Sequence, residues 1–457
     1  MSLLAETSDA VLIHRLDADD FNGFMKDQPE AWAGAWAVWA ADHHFVASPG
    51  QRLVMPAADG RIAAAILGRK GGAFADGARA AALPACNWQL ADDSEEEELA
   101  LGFLLDQYRF DRFKPKAKPA PMPQLVVADS ARRQRIEAIA AGVCLGRDLI
   151  NTPANHLTPQ GMEDAARELA QEFGASINVT IGEVLARDFP AIDTVGRAAE
   201  SPPRLIDMSW GESGPVITLV GKGVTFDSGG LDIKPSSAME MMKKDMGGAA
   251  IVLGLAQTIM ALNLPVRLRV LVPTAENAIS DKAMRPLDVI DTAAGIPVEV
   301  GNTDAEGRLI LADAIHLATS GTEKPDMLID FATLTGAARV AVGTELPALF
   351  CNDDALSAEF IAAANAAGDP LWPLPLHAPY DRYLEGGHTA LSSTGSSRYG
   401  GAITAALFLQ RFVASSVPWA HIDVMAWNLA ARPGHPRGGE AMGLRAALRL
   451  IETRAKG

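Results

Sequence analysis

Cysteine is scarce in this sequence, and histidine forms no cluster. The 457 residues include three cysteines, Cys86, Cys144 and Cys351, which are far apart and form no CxxC pair. Their odd number and wide spacing indicate buried thiols in a reducing compartment rather than a disulfide framework. A metal site of clustered cysteines and histidines is also excluded, so any metal would have hard oxygen ligands.

Long apolar runs are absent as well. No run approaches the length that spans a bilayer, so we expect no transmembrane helix. The first residues, 1–7, lack both the basic region and the sustained apolar core of a signal peptide. Together these absences predict a cytoplasmic protein.

Basic residues are outnumbered by acidic ones. The formal net charge is −16 at pH 7, and acidic residues also predominate within residues 1–120. Negative charge repels the phosphates of nucleic acids and anionic lipids, so we expect neither as a general partner.

The chain is long enough for two domains, each with its own core. A run rich in lysine and proline, residues 114–123, cannot form regular structure and is predicted to be the linker. We therefore predict an N-terminal α/β domain over residues 1–120 and a second domain over 124–457. The second domain alternates helix and strand patterns, which is typical of a mixed sheet flanked by helices. Its strands are predicted at residues 177–181, 216–220, 266–272, 298–301 and 327–331.

One polar stretch joins a short apolar segment to a helical pattern. Residues 301–309 read GNTDAEGRL and contain two acids, Asp304 and Glu306, followed by Arg308. If the chain is extended here, the two acids project from the same side. Arg308 stands at the predicted helix start, where free backbone N–H groups favour an anion. The stretch suits a divalent-metal site beside a small-anion site, although a polar turn with a helix cap fits it equally well.

A second polar stretch favours the metal site. Residues 220–230 read VGKGVTFDSGG, Lys234 follows, and residues 243–248 read KKDMGG. These segments and NTDAEGRL have the order and spacing of the leucyl aminopeptidase family, the dinuclear-metal M17 peptidases, which the chain resembles from about residue 133 onwards. The resemblance implies a catalytic C-terminal domain with a mixed sheet flanked by helices. Residues 1–120 match more weakly, as expected for the family's variable N-terminal α/β domain.

The resemblance implies the ligands of two divalent ions. Asp227 and Glu306 would contact both ions, Lys222 and Asp245 would complete one site, and Asp304 would complete the other. A lysine ligates a metal only as the neutral amine, which a nearby dication favours. The alternative for Lys222 is a phosphate-binding lysine, although the loop lacks the GxxxxGK[ST] pattern. An oxygen-rich site should accept Mn²⁺, Zn²⁺ or Mg²⁺ in differing degrees.

The resemblance also implies a hydrolytic mechanism. A water activated by two metals would attack the first peptide bond of a substrate whose free amino group binds one metal. Lys234 would stabilise the gem-diolate, and Arg308 would hold a bicarbonate ion that acts as general base. The alternative for Arg308 is a salt bridge to one of the carboxylates. The expected activity is metal-dependent release of N-terminal amino acids from peptides.

Four further residues are assigned to the substrate pocket by the same resemblance. These are Met242, Thr333, Gly336 and Trp427. Trp427 departs from the family pattern, because many members have a small-residue segment there. A bulky side chain at this position would narrow or reshape the pocket, so the preference for leucine stays open.

Two other functions are compatible with parts of the sequence. A two-metal phosphoesterase would use the same carboxylates, but it would not explain Lys222 and Lys234 at their spacing. A non-catalytic scaffold that binds DNA or another partner would not need the complete set of charged site residues. The resemblance further implies a homo-hexamer.

Overall fold

The computed structural model describes residues 2–69, 71–115 and 120–456, without the side chains of residues 30 and 31. Residues 116–119 of the predicted linker lie outside the described residues. The chain divides into two compact units, Met1–Ala141 with Ala430–Arg437, and Gly142–Leu429 with Gly438–Gly457. Within the described residues, no helix has the length and apolar character needed to cross a bilayer.

The first unit contains a five-stranded sheet in the order β2-β3-β1-β4-β5. Strand β1 is parallel to β3 and β4, and β2 is antiparallel to β3. Its strands are β1 (Val11–Leu16), β2 (Arg52–Pro56), β3 (Ile62–Gly68), β4 (Asn87–Leu90) and β5 (Gln124–Val126). Its helices are α1 (Ala18–Lys26), α2 (Glu30–Asp42), α3 (Ala73–Ala80) and α4 (Glu96–Asp106), and α5 (Ser130–Asn151) continues into the second unit.

The second unit contains a nine-stranded mixed sheet in the order β15-β14-β17-β13-β8-β10-β7-β6, with β9 also paired to β10. Strands β17, β13, β8 and β10 are parallel. Strand β14 is antiparallel to β17 and parallel to β15, and β7 is antiparallel to both β10 and β6. The sheet strands are β6 (Ser176–Ile181), β7 (Arg204–Trp210), β8 (Val216–Gly221), β9 (Gly223–Asp227), β10 (Arg267–Asn277), β13 (Met327–Ala332), β14 (Ala348–Cys351), β15 (Trp372–Pro373) and β17 (Trp419–Asp423). Shorter strands are β11 (Val289–Ile290), β12 (Val298–Glu299), β16 (Leu391–Ser392), β18 (Trp427–Asn428) and β19 (Gly438–Gly439).

Helices of the second unit pack against this sheet. Helix α10 contacts β8 and β13, and α11 contacts β8 and β10. Both helices are apolar and mostly buried, which is why their sequences show no clear polar face. The helices are α6 (Pro159–Phe173), α7 (Gly182–Asp188), α8 (Pro190–Gly196), α9 (Ser236–Met239), α10 (Gly247–Ala261), α11 (Glu306–Ser320), α12 (Gly336–Val342), α13 (Asp354–Ala366), α14 (Gly401–Gln410) and α15 (Leu444–Lys456), with 3₁₀ helices at Met242–Met246 and Ala378–Leu384.

The predicted fold class is confirmed, because both units combine helices with a sheet and the second sheet is mixed. Four predicted strands are present as β6, β8, β10 and β13. The strand expected at 298–301 is shorter and covers Val298–Glu299, where it joins a small separate sheet with β11 and β16.

Candidate metal centre

The carboxyl ends of five strands supply the polar residues of one site. Because β8, β9, β10, β13 and β17 are linked by parallel pairing, these ends lie along one edge of the sheet. The residues at or just after them are Lys222, Asp227, Asn277, Thr333 and Asp423. Helix α11 and the 3₁₀ helix Met242–Met246 add Glu306 and Asp245.

Three buried carboxylates converge at this edge. One oxygen each from Asp227, Asp245 and Glu306 lies within 4.8 Å of the other two. Lys222 Nζ lies between two of them, 2.7 Å from Asp245 Oδ2 and 2.9 Å from Glu306 Oε1. Gly307 makes room for this lysine, because a Cβ there would lie 2.4 Å from Lys222 Cε.

Lys234 and Asp304 extend the cluster towards solvent. Lys234 Nζ lies 2.7 Å from Asp227 Oδ2 and also forms an ion pair with Asp304. The chain is not extended over residues 304–306, so the condition under which both acids would project from one side of a strand is not met. Asp304 lies in a turn, Ala305 has φ −110° and ψ 36°, and Glu306 is the first residue of α11. The two acids reach one site because the turn and the helix start bring them there.

Carboxylates outnumber lysines in this cluster, with Asp227, Asp245, Asp304 and Glu306 around Lys222 and Lys234. Burial raises the pKa of Glu306 to about 8, and the neighbouring Asp227 carboxylate adds to the effect. Burial and Asp227 likewise raise the pKa of Asp304 to about 6. Burial disfavours the Lys222 and Lys234 ammonium groups, but the surrounding carboxylates outweigh it and raise the pKa of each lysine. The acids therefore depend on a nearby cation.

The donor set fits divalent cations. Asp245 Oδ2, Asp304 Oδ1 and Glu306 Oε1 are buried and make ion-pair contacts with a lysine, but no well-aligned hydrogen bond reaches them. Asp245 and Glu306 also belong to the buried cluster with Asp227. Carboxylate oxygens with free lone pairs are the ligands that Mn²⁺ and Mg²⁺ prefer.

Further residues hold these ligands and the neighbouring wall of the site in place, and two of them, Asn277 and Asp423, were missed by the sequence interpretation. Asn277 Nδ2 donates to Asp227 Oδ1 at 2.8 Å, and Thr333 Oγ1 donates to Asp245 Oδ1 at 2.7 Å. Asp423 accepts hydrogen bonds from the backbone N–H groups of Leu334 and Thr335 and from Thr335 Oγ1. Asn277 and Asp423 each end a strand, and that position is the signal that would have identified them.

Arg308 lies in the first turn of α11, two residues after Glu306, and is buried. Its Nη1 donates to the carbonyl oxygen of Ser393 at 2.6 Å, and its guanidinium carbon lies 5.9 Å from the centre of the Phe408 ring. Arg308 Nε has no hydrogen-bond partner. Within the described chain no carboxylate lies in salt-bridge range of Arg308, which disfavours the salt-bridge alternative.

A single cavity contains the charged residues of the site. Its lining includes Met242, Thr333 and Gly336, as the sequence predicts, and the described residues that line it do not include Trp427. The Trp427 ring instead lies 5.5 Å from Lys243 Nζ. Trp427 is thus not among the described lining residues, and its effect on the shape of the pocket stays a prediction.

Two basic residues that the sequence interpretation did not assign also line this cavity. Lys244 is 2% exposed and lines the cavity, and burial lowers its pKa to about 8. Arg339 lies on α12 and faces the same cavity.

Comparison with known proteins identifies related sequences along most of the chain. The model of the cytosol aminopeptidase family, catalytic domain, matches residues 144–448. The model of the M17 aminopeptidase N-terminal domain matches residues 13–127. A protein of Syntrophotalea carbinolica named "Probable cytosol aminopeptidase" is 43% identical over 372 residues, which are 78% of this chain and 74% of that protein.

Solved structures agree with these matches. The crystal structure of cytosol aminopeptidase from Coxiella burnetii has a TM-score of 0.93 and 42% identity, and it covers 99% of this chain and 98% of its own. The bottromycin maturation enzyme BotP in complex with Mn has a TM-score of 0.87 and 34% identity, and it covers 98% of this chain and 100% of its own.

Proposed function

The chain belongs to the cytosol aminopeptidase family and is a metal-dependent aminopeptidase, and from this premise we propose which residues bind the metals and act on the peptide. Two divalent ions would be held by Asp227 and Glu306, with Lys222 and Asp245 completing one site and Asp304 the other. Lys222 would bind as the neutral amine, which a nearby dication favours. The observation that carries this proposal is the buried cluster of Asp227, Asp245 and Glu306, whose oxygens lie within 4.8 Å of one another.

When bound, the two ions supply Lewis acidity, which lowers the pKa of water and polarises the scissile carbonyl. The side chain of Asp304 is 32% exposed, the most open of the carboxylates in the lysine ion pairs. It therefore lies on the side of the cluster from which a substrate can approach. The Lys234 ammonium stabilises negative charge on the carbonyl oxygen, since it is fixed at the rim of the cluster by Asp227 at 2.7 Å.

Arg308 holds a bicarbonate ion, which supplies a general base. Its guanidinium is buried in the cavity lining and donates to one carbonyl oxygen, that of Ser393. A guanidinium has five N–H donors in a planar fork, so the remaining donors can bind a small oxyanion. A buried cation without a carboxylate partner favours such an ion.

The relatives support a choice of metal and a location, and the family resemblance implies an assembly. The Mn complex of BotP supports Mn²⁺, and the oxygen ligands are also compatible with Zn²⁺ and Mg²⁺. The names of the curated relatives support a cytosolic location. A homo-hexamer, as the resemblance implies, is checked by multi-angle light scattering of the purified protein.

Hydrolysis of leucine p-nitroanilide and its N-acetyl derivative tests the function. The protein is stripped with EDTA, and Mn²⁺ is then restored. We expect Mn²⁺-dependent release from the free-amino substrate and none from the acetylated one, because the free amine is needed. The Asp304→Ala variant should lose this activity, and the exposed Asp188→Ala variant is the matched control.

Two results would contradict the proposal. One is equal cleavage of the acetylated substrate. The other is turnover of p-nitrophenyl phosphate by Mn²⁺-loaded protein that releases no N-terminal residue from any peptide, which would favour the phosphoesterase.

A further inference from the structure

We propose that the cavity beside the metal centre binds a carboxylate on the first residue of the substrate, so that peptides beginning with glutamate or aspartate are preferred over those beginning with leucine. This inference rests on the proposed function, because it requires the free amino group of the peptide to bind at the carboxylate cluster. The recognising groups are the ammonium of Lys244 and the guanidinium of Arg339.

Lys244 is a buried cation without a direct partner. Lys244 belongs to the cavity lining, and within the described residues its Nζ forms no ion pair or hydrogen bond. Lys222 and Lys234, in contrast, each pair with two carboxylates. Burying an ammonium ion is unfavourable unless a counter-charge is supplied, so the position of Lys244 points to an anionic ligand.

The acids nearest to Lys244 do not supply this counter-charge by direct contact. Asp245 is engaged by Lys222 at 2.7 Å and by Thr333 Oγ1 at 2.7 Å. Asp423 accepts hydrogen bonds from two backbone N–H groups and one hydroxyl of residues 334–335. Both acids are already used to fix the walls of the site.

Arg339 places a second cation in the same lining. Its Nη1 lies 3.4 Å from the sulfur of Met425, a weak acceptor, and within the described chain no carboxylate pairs with it. Gly336, three residues earlier on α12, lies beside this guanidinium, since a Cβ there would be 3.4 Å from Arg339 Nη2. A guanidinium with free donors can bind a carboxylate in the bidentate manner.

Chain connectivity places both cations close to the amino-binding end of the site. Lys244 directly precedes Asp245 in the sequence. Thr333 donates a hydrogen bond to Asp245, and the segment that begins at Thr333 leads to Arg339. A peptide whose amino group lies at the carboxylates directs its first side chain into the neighbouring part of the cavity. Met242 lines this part and suits methylene groups, while the two cations suit a terminal carboxylate. Leucine would leave both cations unpaired and partly desolvated.

A dipeptide offers the same chemistry from a second source, its C-terminal carboxylate. Aminoacyl p-nitroanilides have no such group, so they isolate the first side chain. The comparison of leucyl-leucine with leucyl-leucine amide isolates the C-terminal carboxylate.

The experiment measures kcat/KM of Mn²⁺-loaded protein for the p-nitroanilides of glutamate, aspartate, glutamine and leucine. We expect glutamate to exceed glutamine, its uncharged isostere, by about tenfold or more, since hydrogen bonds to charged groups are the stronger ones. Lys244→Met and Arg339→Met should each lower the glutamate-to-glutamine ratio by about tenfold. Arg339 is only partly buried, so its variant tests the inference even if Lys244→Met fails to fold.

Lys243→Met is the matched control. Lys243 is the neighbouring residue, but its Nζ donates to the carbonyl oxygen of Asn151 at 2.6 Å and it does not belong to the cavity lining in the described chain. Its substitution should leave the ratio unchanged.

The outcomes separate the inference from the function on which it rests. Cleavage of leucine and glutamine substrates with no preference for glutamate overturns the inference while the aminopeptidase function stands. A Lys244-dependent preference for leucyl-leucine over its amide, without a preference for glutamate, also overturns it and assigns the cations to the C-terminal carboxylate. Failure to cleave any free-amino substrate overturns both.

Discussion

The ammonium group of Lys222 lies 2.9 Å from Oε1 of Glu306 in the buried acid cluster. Removing one partner of a buried ion pair leaves the other without compensation, which typically destabilises a protein by about 3–5 kcal/mol. We therefore expect Lys222→Met to lower the free energy of unfolding of EDTA-treated protein by about 3 kcal/mol or more. Urea unfolding followed by circular dichroism measures this change.

The control for this prediction is Lys282→Met. Lys282 is exposed, and its substitution should change the free energy of unfolding by less than about 0.5 kcal/mol. Equal urea midpoints for the Lys222 variant and the wild type would show that the acids do not depend on this ammonium group.

Lys234 should contribute to kcat more than to KM. Its ammonium is held by Asp227 and Asp304 at the rim of the cluster, where it meets the charge that develops on the substrate oxygen. Loss of one such donor in other hydrolases costs about 10²–10³ in kcat, and we expect a reduction of this size in Lys234→Met. Steady-state kinetics with leucine p-nitroanilide test it. A higher KM with an unchanged kcat would assign Lys234 to ground-state binding instead.

Asp423 should act as a positioning residue for the wall of the cavity. Its Oδ1 accepts from Leu334 N at 3.0 Å, and its Oδ2 accepts from Thr335 Oγ1 at 2.6 Å. We expect Asp423→Ala to shift this segment and lower kcat/KM by about 10–100-fold, since small displacements in active sites are costly.

Asp423→Asn distinguishes positioning from charge. The amide oxygen can keep the backbone hydrogen bonds, and the amide nitrogen can donate to the Thr335 hydroxyl. This variant should retain activity within about threefold, because the hydrogen-bond pattern survives. Equal losses in the alanine and asparagine variants would show that the negative charge itself is required.

Arg308 should make the activity depend on bicarbonate. In carbon-dioxide-free buffer, added bicarbonate is expected to raise the kcat of the wild type, because the buried guanidinium can bind it. Arg308→Met should lose most of this response, while the exposed Arg285→Met should keep it. Equal activation of both variants would place the bicarbonate effect elsewhere.

The sequence carries enough information for the sheet and the charged cluster. Strands β8 and β13 are central and buried, so their near-continuous apolar runs stand out from the surrounding sequence. The spacing of the charged residues also matches that of a known family. This resemblance predicted that these residues belong to a single site. The residue assignments within that site stay predictions, which the variants above test.

Other features depend on three-dimensional packing. Lys243 and Lys244 are adjacent and chemically identical, yet one lies against Trp427 and the other lines the cavity. Their directions follow from the 3₁₀ helix Met242–Met246, whose successive side chains point about 120° apart. Likewise, Asn277 gains its role because β10 runs beside β9, and local sequence does not encode that pairing.

The pair of Asp330 and His421 predicts a pH dependence of stability. His421 is fully buried, and its Nδ1 lies 2.6 Å from Asp330 Oδ1. Burial disfavours the imidazolium form, but the Asp330 carboxylate outweighs it and raises the pKa of His421 above 6.5. The resulting stabilisation is fully present below pH 6.5 and is lost as the pH rises through the pKa of the folded state.

His421→Gln isolates this contribution, because glutamine can still donate to Asp330 but does not titrate. We expect the difference in unfolding free energy between wild type and variant to shrink as pH rises from about 6 to about 9, by at most about 1.4 kcal/mol per pH unit. Urea unfolding at several pH values measures it, with the exposed His388→Gln as control. A difference that stays constant over this range would show that His421 keeps one protonation state, and that its contact with Asp330 stabilises the protein equally at every pH tested.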